Sequence, residues 1–315
     1  MRGNLGATGR EGEGLERCYL RGAMTPSVAF VTSEALPDLY SDDLAAVSAL
    51  ATLGIRAVPA VWSDRRVRWE DFDLVVIRSP WDWYENAHAF ETFLLDLERR
   101  NVKVENHRAV RYLEKSFLRD AENEGVRVVP TEWIEPGDMR TLADIVEERG
   151  WSRAVFKPAR SANAHRTELF DAKDAPAHEA AFRSILAGGR AMVQPFFAEV
   201  QDPGEWALIF FDGQFSHALR KIPKRGDFRV QSDHGGTVYF EPNPPESLIH
   251  QATEALEAVD ETLLYARVDG VVRDGLLYVM ELELVEPELF LRAHPDAPMR
   301  FATAIAKRLI SGTPG

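Results

Sequence analysis

The chain has 315 residues, of which 45% are hydrophobic and 28% charged, a composition typical of a globular protein with about two domains. Its net charge of −13 argues against a general nucleic-acid-binding protein, and no apolar run approaches the roughly 20 residues that cross a bilayer. Cys18 is the only cysteine, which excludes an intrachain disulfide and a cysteine-ligated zinc site. We therefore predict a cytoplasmic protein without nucleic-acid or membrane partners.

The N-terminal part of the sequence changes character at about residue 25. Residues 1–24 are rich in glycine and charge and are predicted to form a disordered tail, and Met24 is a candidate for the native start. Alternating elements then predict a parallel, doubly wound sheet, and we assign this N-terminal substrate domain to 25–108. Its predicted strands are 27–33, 55–62, 72–79 and 102–106, and its predicted helices are 42–54 and 85–101.

Two further α+β lobes are predicted, over 109–190 and 191–315. The first has a helix at 110–125, a strand at 126–134, a helix capped by Asp138 and a strand pair at 154–159 and 165–170. The second has a strand at 191–197, Asp-Gly hairpins at 207–219 and 268–284, a helix at 247–263 and a C-terminal helix.

The segment MELELVEP, residues 280–287, places Glu281 and Glu283 on one face of a predicted strand, opposite an apolar face. Two carboxylates so close together need a positive partner. That partner is either a basic side chain on the neighbouring strand or a bound metal ion, and these eight residues alone favour the basic side chain.

Basic residues stand out in three places. Lys157 interrupts an apolar strand, so it either points outward or faces an anion such as phosphate. Lys115 lies on the predicted helix 110–125, where a solvated lysine is the simpler interpretation. The stretch 217–236 places five Lys and Arg residues, Lys221 and Arg229 among them, before a Gly-Gly pair. This stretch is either a solvated loop or an anion site in which backbone N–H groups approach oxygens closely.

The order of motifs over the last two thirds of the chain resembles the ATP-grasp superfamily, and within it the bacterial glutathione synthetase branch. The stretch 192–236 carries a Gln-bearing strand, an acidic residue, a DG hairpin, IP, G-x-x-R and GG in that order, and VDGVV and ELELVEP then match the last hairpin. RSPWDW, residues 78–83, resembles small ATP-grasp ligases of the cycloserine-pathway cyclo-ligase type. The resemblance implies an ATP-grasp fold: an N-terminal doubly wound domain and two α+β lobes that clamp ATP.

The resemblance also implies a metal site in the last hairpin. Asp269, Glu281 and Glu283 match the positions that bind Mg²⁺ ions bridging the ATP phosphates, and Glu283 stands where the family usually has asparagine. Carboxylate oxygens suit Mg²⁺, and the third carboxylate favours Mn²⁺ more than asparagine would.

Nucleotide-binding positions carry over in the same way. Lys115 and Lys157 would reach the phosphates, Gln194 and the backbone near Phe197 the adenine, and Glu205 the ribose. Ser161 begins SANAH, which replaces the family's glycine-rich phosphate loop and is predicted to be stiffer. Arg229 would hold the γ-phosphate and the acyl phosphate, with Lys221 assisting.

The implied activity is ATP-dependent carboxylate–amine ligation through an acyl phosphate on a small amino-acid-like substrate. An intramolecular cyclo-ligase and a non-catalytic nucleotide-binding regulator are the alternatives, and homo-oligomerisation is left open. Arg78 falls at the C-terminal end of the third predicted strand of the open sheet, where it would grip the substrate carboxylate, pair with Asp82 to brace the loop, or do both.

A shared metal requires Asp269 and Glu281 to face the same side of their hairpin. A regular two-residue Asp-Gly loop would put them on opposite sides. We therefore predict a three-residue loop, 273–275, with Gly275 at positive φ and Asp269 paired with Val279.

Overall fold

The computed structural model describes residues 25–161, 164–230 and 234–311, so the predicted tail at 1–24 lies outside the described residues. Among these residues no helix is long and apolar enough to cross a membrane. The strands are β1 Ser27–Thr32, β2 Arg56–Val61, β3 Leu74–Ser79, β4 Val104–Glu105, β5 Glu132–Ile134, β6 Arg153–Pro158, β7 Glu168–Asp171, β8 Ala191–Pro195, β9 Glu205–Phe211, β10 Gln214–Ile222, β11 Thr237–Glu241, β12 Tyr265–Arg273 and β13 Leu276–Glu283. The helices are α1 Asp43–Thr52, α2 Ala87–Arg99, α3 Phe117–Asn123, α4 Leu142–Arg149, α5 Ala175–Leu186, α6 Glu246–Glu257 and α7 Ala297–Ser311.

Three sheets organise the molecule. The N-terminal sheet is parallel, in the order β2-β1-β3-β4, and the buried apolar strand β1 lies at its centre. The small-lobe sheet has the order β5-β8-β6-β7, and the large-lobe sheet has the order β11-β10-β9-β12-β13. The predicted lobe 191–315 includes strand β8. In the structure, β8 pairs with β5 and β6 of the small lobe, so this domain boundary differs from the prediction.

The predicted helix 110–125 is confirmed only over Phe117–Asn123. The chain forms a 3₁₀ helix, His107–Leu113, and then the short helix α3. Between them the Lys115 N–H donates to the Ala159 carbonyl at 2.8 Å, and this bond draws the backbone beside the end of β6. Lys115 is thereby directed into the molecule, where its exposed fraction is 6%.

Two smaller predictions also fail. Thr141 caps α4, in a capping box with Asp144, and Asp138 does not. Helix α5 was not predicted at all, although Pro176 in its first turn is a recognisable start signal.

Candidate active site

A cavity of about 620 Å³, a size typical of small-molecule sites, is lined by strands of the small-lobe and large-lobe sheets and by loop residues of the N-terminal domain. Eleven of the twelve candidate residues line it: Lys115, Lys157, Ser161, Gln194, Phe197, Glu205, Lys221, Arg229, Asp269, Glu281 and Glu283. Arg78 does not. The fold thus brings together side chains that are up to 168 positions apart in the sequence, from Lys115 to Glu283.

The last hairpin brings Asp269 and Glu281 together by a route that we did not predict. Its loop has two residues, Asp274 and Gly275, both at positive φ, as in a type I′ turn. The predicted odd-numbered loop is therefore wrong, whereas the positive φ of Gly275 is confirmed. The register shifts by one residue between Gly270 and Asp269, so a β-bulge at Met280 places Asp269 opposite Glu281.

Each of the three predicted metal ligands contacts a basic side chain. Arg267 lies 2.9 Å from Asp269 and 3.2 Å from Glu283. Lys115 Nζ lies 2.6 Å from Glu281. Among the described residues, no group of three such side chains is arranged to hold a metal ion, so the predicted convergence on shared ions is not seen in these rotamers.

Burial and these contacts shift the pKa values of the three carboxyl groups. Burial would raise the pKa of Asp269, but the charges of Arg267 and Lys221 lower it below its ordinary value. Burial likewise opposes the ionisation of Glu281, and Lys115 lowers its pKa. Burial raises the pKa of Glu283 in spite of Arg267. Hard oxygen donors on two adjacent strands therefore face the cavity, and that donor chemistry fits a divalent cation such as Mg²⁺.

Lys221 contacts both the predicted ribose ligand Glu205 and the predicted metal ligand Asp269. Its Nζ lies 2.5 Å from Glu205 and 2.9 Å from Asp269. Lys157 differs from the other lysines of the site because no described carboxylate lies within 4 Å of it. Burial lowers the pKa of Lys157, and an anion in the cavity would favour its charged form.

The remaining predicted nucleotide ligands are held by their own partners. The Gln194 amide donates to the Thr131 hydroxyl at 2.8 Å. The ring centroid of Phe197 lies 3.6 Å from the Arg273 guanidinium carbon. Arg229 pairs with Asp227 at 2.8 Å, which fixes the guanidinium at the edge of the cavity.

Arg78 does not hold a substrate carboxylate in this arrangement. It is 1% exposed, pairs with Asp43 at 2.9 Å and donates to the Pro287 carbonyl at 3.1 Å. The alternative partner, Asp82, instead accepts from the Trp62 indole. Arg78 therefore connects α1 to the segment that follows the predicted metal ligands.

The two tryptophans of RSPWDW contact the same segment. The Trp81 indole donates to the Glu286 carbonyl at 2.9 Å, and the Trp83 indole donates to the Glu286 carboxylate at 2.6 Å. Burial, followed by the charge of Glu283, raises the pKa of Glu286 to about 8. The two sequence motifs quoted above therefore meet at one wall of the cavity.

Arg267 is the residue that sequence reasoning missed. It lines the cavity, and its guanidinium binds Asp269 through both Nε and Nη2. The signal was its position two residues before Asp269 on one strand, which puts both side chains on the same face.

Comparison with known proteins identifies relatives of this chain. A family model described as D-cycloserine synthetase DcsG, N-terminal domain, matches residues 28–106. The cycloserine biosynthesis protein DcsG of Streptomyces lavendulae is 32% identical over 281 residues, which cover 84% of this chain and 92% of that protein. The crystal structure of D-cycloserine synthetase DcsG matches with a TM-score of 0.80 at 31% identity, over 90% of this chain and 99% of that one.

A more distant structure shares the fold alone. The D-alanine–D-alanine ligase of Bacillus anthracis, in complex with ATP, has a TM-score of 0.65 at 14% identity, over 91% of this chain and 98% of its own. The ATP-grasp fold predicted from the sequence is therefore confirmed. Of the two branches that the motifs resembled, the curated relative belongs to the cycloserine branch and not to the glutathione synthetase branch. The chain has the ATP-grasp fold and belongs to the D-cycloserine synthetase family of ligases.

Proposed function

We propose that this ligase activates the carboxylate of a small amino-acid-like substrate as an acyl phosphate and then closes an amide bond within the same molecule. The relatives named for cycloserine support cyclisation over ligation of two substrates, since D-cycloserine is itself a cyclic amide. The proposal rests on one observation: the predicted phosphate ligands and the predicted metal ligands line the same cavity.

The chain's own residues supply charge and position. Lys157, which has no carboxylate partner among the described residues, and Lys115 would bind the phosphates of ATP. Arg229, held at the cavity edge by Asp227, would stabilise the phosphoryl group as it moves from ATP to the substrate carboxylate. Mg²⁺ held by Asp269, Glu281 and Glu283 would neutralise phosphate charge.

The bond changes balance without a nucleophile from the protein. A substrate carboxylate oxygen attacks the γ-phosphorus, and ADP leaves. A nitrogen of the same substrate then attacks the acyl carbon, phosphate leaves, and the proton from nitrogen passes to phosphate or solvent. In the second step, positive groups such as Arg267 and Arg229 would stabilise negative charge at the reacting centre.

Product analysis tests this proposal. The enzyme should release ADP and phosphate when a panel of D- and L-amino acids with side-chain nitrogen is supplied singly. Release of AMP and pyrophosphate would overturn the acyl-phosphate mechanism. ADP release that requires a second amine would replace cyclisation with ligation of two substrates.

A further inference from the structure

The cavity has an acidic and aromatic end that the chemistry above does not use. Tyr40, Trp81, Trp83, Glu286 and Glu288 all line it. The rings of Tyr40 and Trp81 meet edge to face with centroids 4.8 Å apart. This end is contributed by the N-terminal domain and by the segment that follows β13.

Glu286 differs from the other buried carboxylates of the cavity. Glu205, Asp269, Glu281 and Glu283 each have a lysine or arginine within 4 Å, whereas no described basic side chain lies that close to Glu286. Glu286 is 8% exposed, and Trp83 holds one of its oxygens. A buried carboxylate is costly without a cationic partner, so this position favours a ligand that brings one.

We propose that Glu286, positioned by Trp83, binds a free ammonium group of the substrate. The inference rests on the proposed function. It fits that chemistry because D-cycloserine keeps a primary amine outside the ring amide that the ligase would close. The aromatic rings beside Glu286 add a favourable surface for a cation.

The position of Glu286 also fits the size of such a substrate. Glu286 lies three positions after Glu283, so their Cα atoms are at most about 11 Å apart. Because Glu283 and Glu286 line the same cavity, a small substrate bound beside the predicted metal ligands would lie next to this acidic end. The bound substrate would lie with its reacting carboxylate toward the cationic end and its spectator amine toward the acidic end.

The test uses binding of two ring compounds to the intact protein with ADP and Mg²⁺, measured by isothermal titration calorimetry. D-Cycloserine carries the amine, and isoxazolidin-3-one is the same ring without it. Wild type should prefer D-cycloserine. Glu286→Gln should weaken D-cycloserine binding by about 10- to 100-fold and leave the amine-free ring unchanged, because only the charged hydrogen bond is lost.

Glu246→Gln, on the exposed first turn of α6 and outside the cavity, is the matched control and should change neither affinity. If Glu286→Gln does not fold, Trp83→Phe removes the indole N–H and should selectively weaken D-cycloserine by a smaller factor. Equal affinities of wild type for the two rings, or equal losses in the variants, would overturn the role of Glu286. Wild type that binds neither ring would instead refute the assignment of a cycloserine-type product.

Discussion

Asp269 lies opposite Glu281 because the β12–β13 ladder shifts by one residue at Met280. Without that bulge the two-residue loop would direct these carboxylates to opposite faces of the sheet. The bulge therefore reconciles a tight type I′ turn with a site that needs both carboxylates on one side.

The contributions of the predicted metal ligands Glu281 and Glu283 can be measured separately by substitution. Glu281→Gln should raise the Mg²⁺ concentration for half-maximal ADP release by about tenfold or more, because a charged ligand opposite Asp269 is lost. Glu283→Asn restores the residue usual in the wider superfamily and should retain activity with a preference for Mg²⁺ over Mn²⁺. Metal titrations of ADP release compare the two variants, and an unchanged Mg²⁺ requirement in Glu281→Gln would contradict the assignment.

Lys157 should bind phosphate because it has no carboxylate partner among the described residues. Lys157→Ala is expected to raise the Kd for ATP by about 10- to 100-fold, the loss expected for a charged hydrogen bond. Lys173→Ala, an exposed lysine in the same lobe, is the control and should leave the Kd unchanged. Fluorescence titration with a labelled ATP analogue measures both, and equal affinities would remove Lys157 from the nucleotide site.

Arg78 is expected to act on stability. Arg78→Lys keeps the charge but loses the geometry that binds Asp43 and the Pro287 carbonyl together, which should cost about 2–3 kcal/mol of unfolding free energy. Arg66→Lys alters an exposed Arg–Asp pair and should leave the free energy of unfolding nearly unchanged. Urea unfolding decides the matter, and a stable Arg78→Lys protein with a raised KM for the substrate would restore the substrate-binding role.

His217 should make the protein less stable in acid. Burial lowers its pKa to about 4, and Nε2 donates to the Leu289 carbonyl in the neutral form. Between about pH 6.5 and 4, His217 binds more protons in the unfolded chain than in the folded protein. The free energy of unfolding therefore falls as the pH falls through this window, by up to about 3 kcal/mol.

The prediction is tested by replacing His217 with a residue that cannot take up the proton. His217→Gln should show a smaller loss of stability between pH 7 and 5 than wild type. His250→Gln, at an exposed position, should follow the wild-type curve. Parallel curves for wild type and His217→Gln would show that another group governs the acid response.

The strands and the residues that line the cavity were predictable because both leave local patterns. Apolar runs identified β1 and β3, Asp-Gly pairs identified both hairpins, and motif order gathered the eleven residues that line the cavity. Each of these signals depends only on residues that are near one another in the sequence, so it can be read without the structure.

The failures depend on contacts between distant segments. Lys115 leaves its predicted helix because its backbone bonds Ala159, and Arg78 is turned from the cavity by Asp43 and Pro287. No local pattern records those partners. The bulge at Met280 was missed for the same reason: only the pairing of β12 with β13 makes it necessary.

The hydrophobic cores indicate which parts of the chain could be isolated as stable fragments. Phe30 of the N-terminal sheet lies in one core with Phe211 of the large lobe and Phe301 of α7, so a fragment of 25–108 would expose apolar surface and should aggregate. The small lobe instead has a core of its own, whose buried members lie between Ile134 and Val193. It is the part of the protein that we expect to tolerate excision or exchange between relatives as a module.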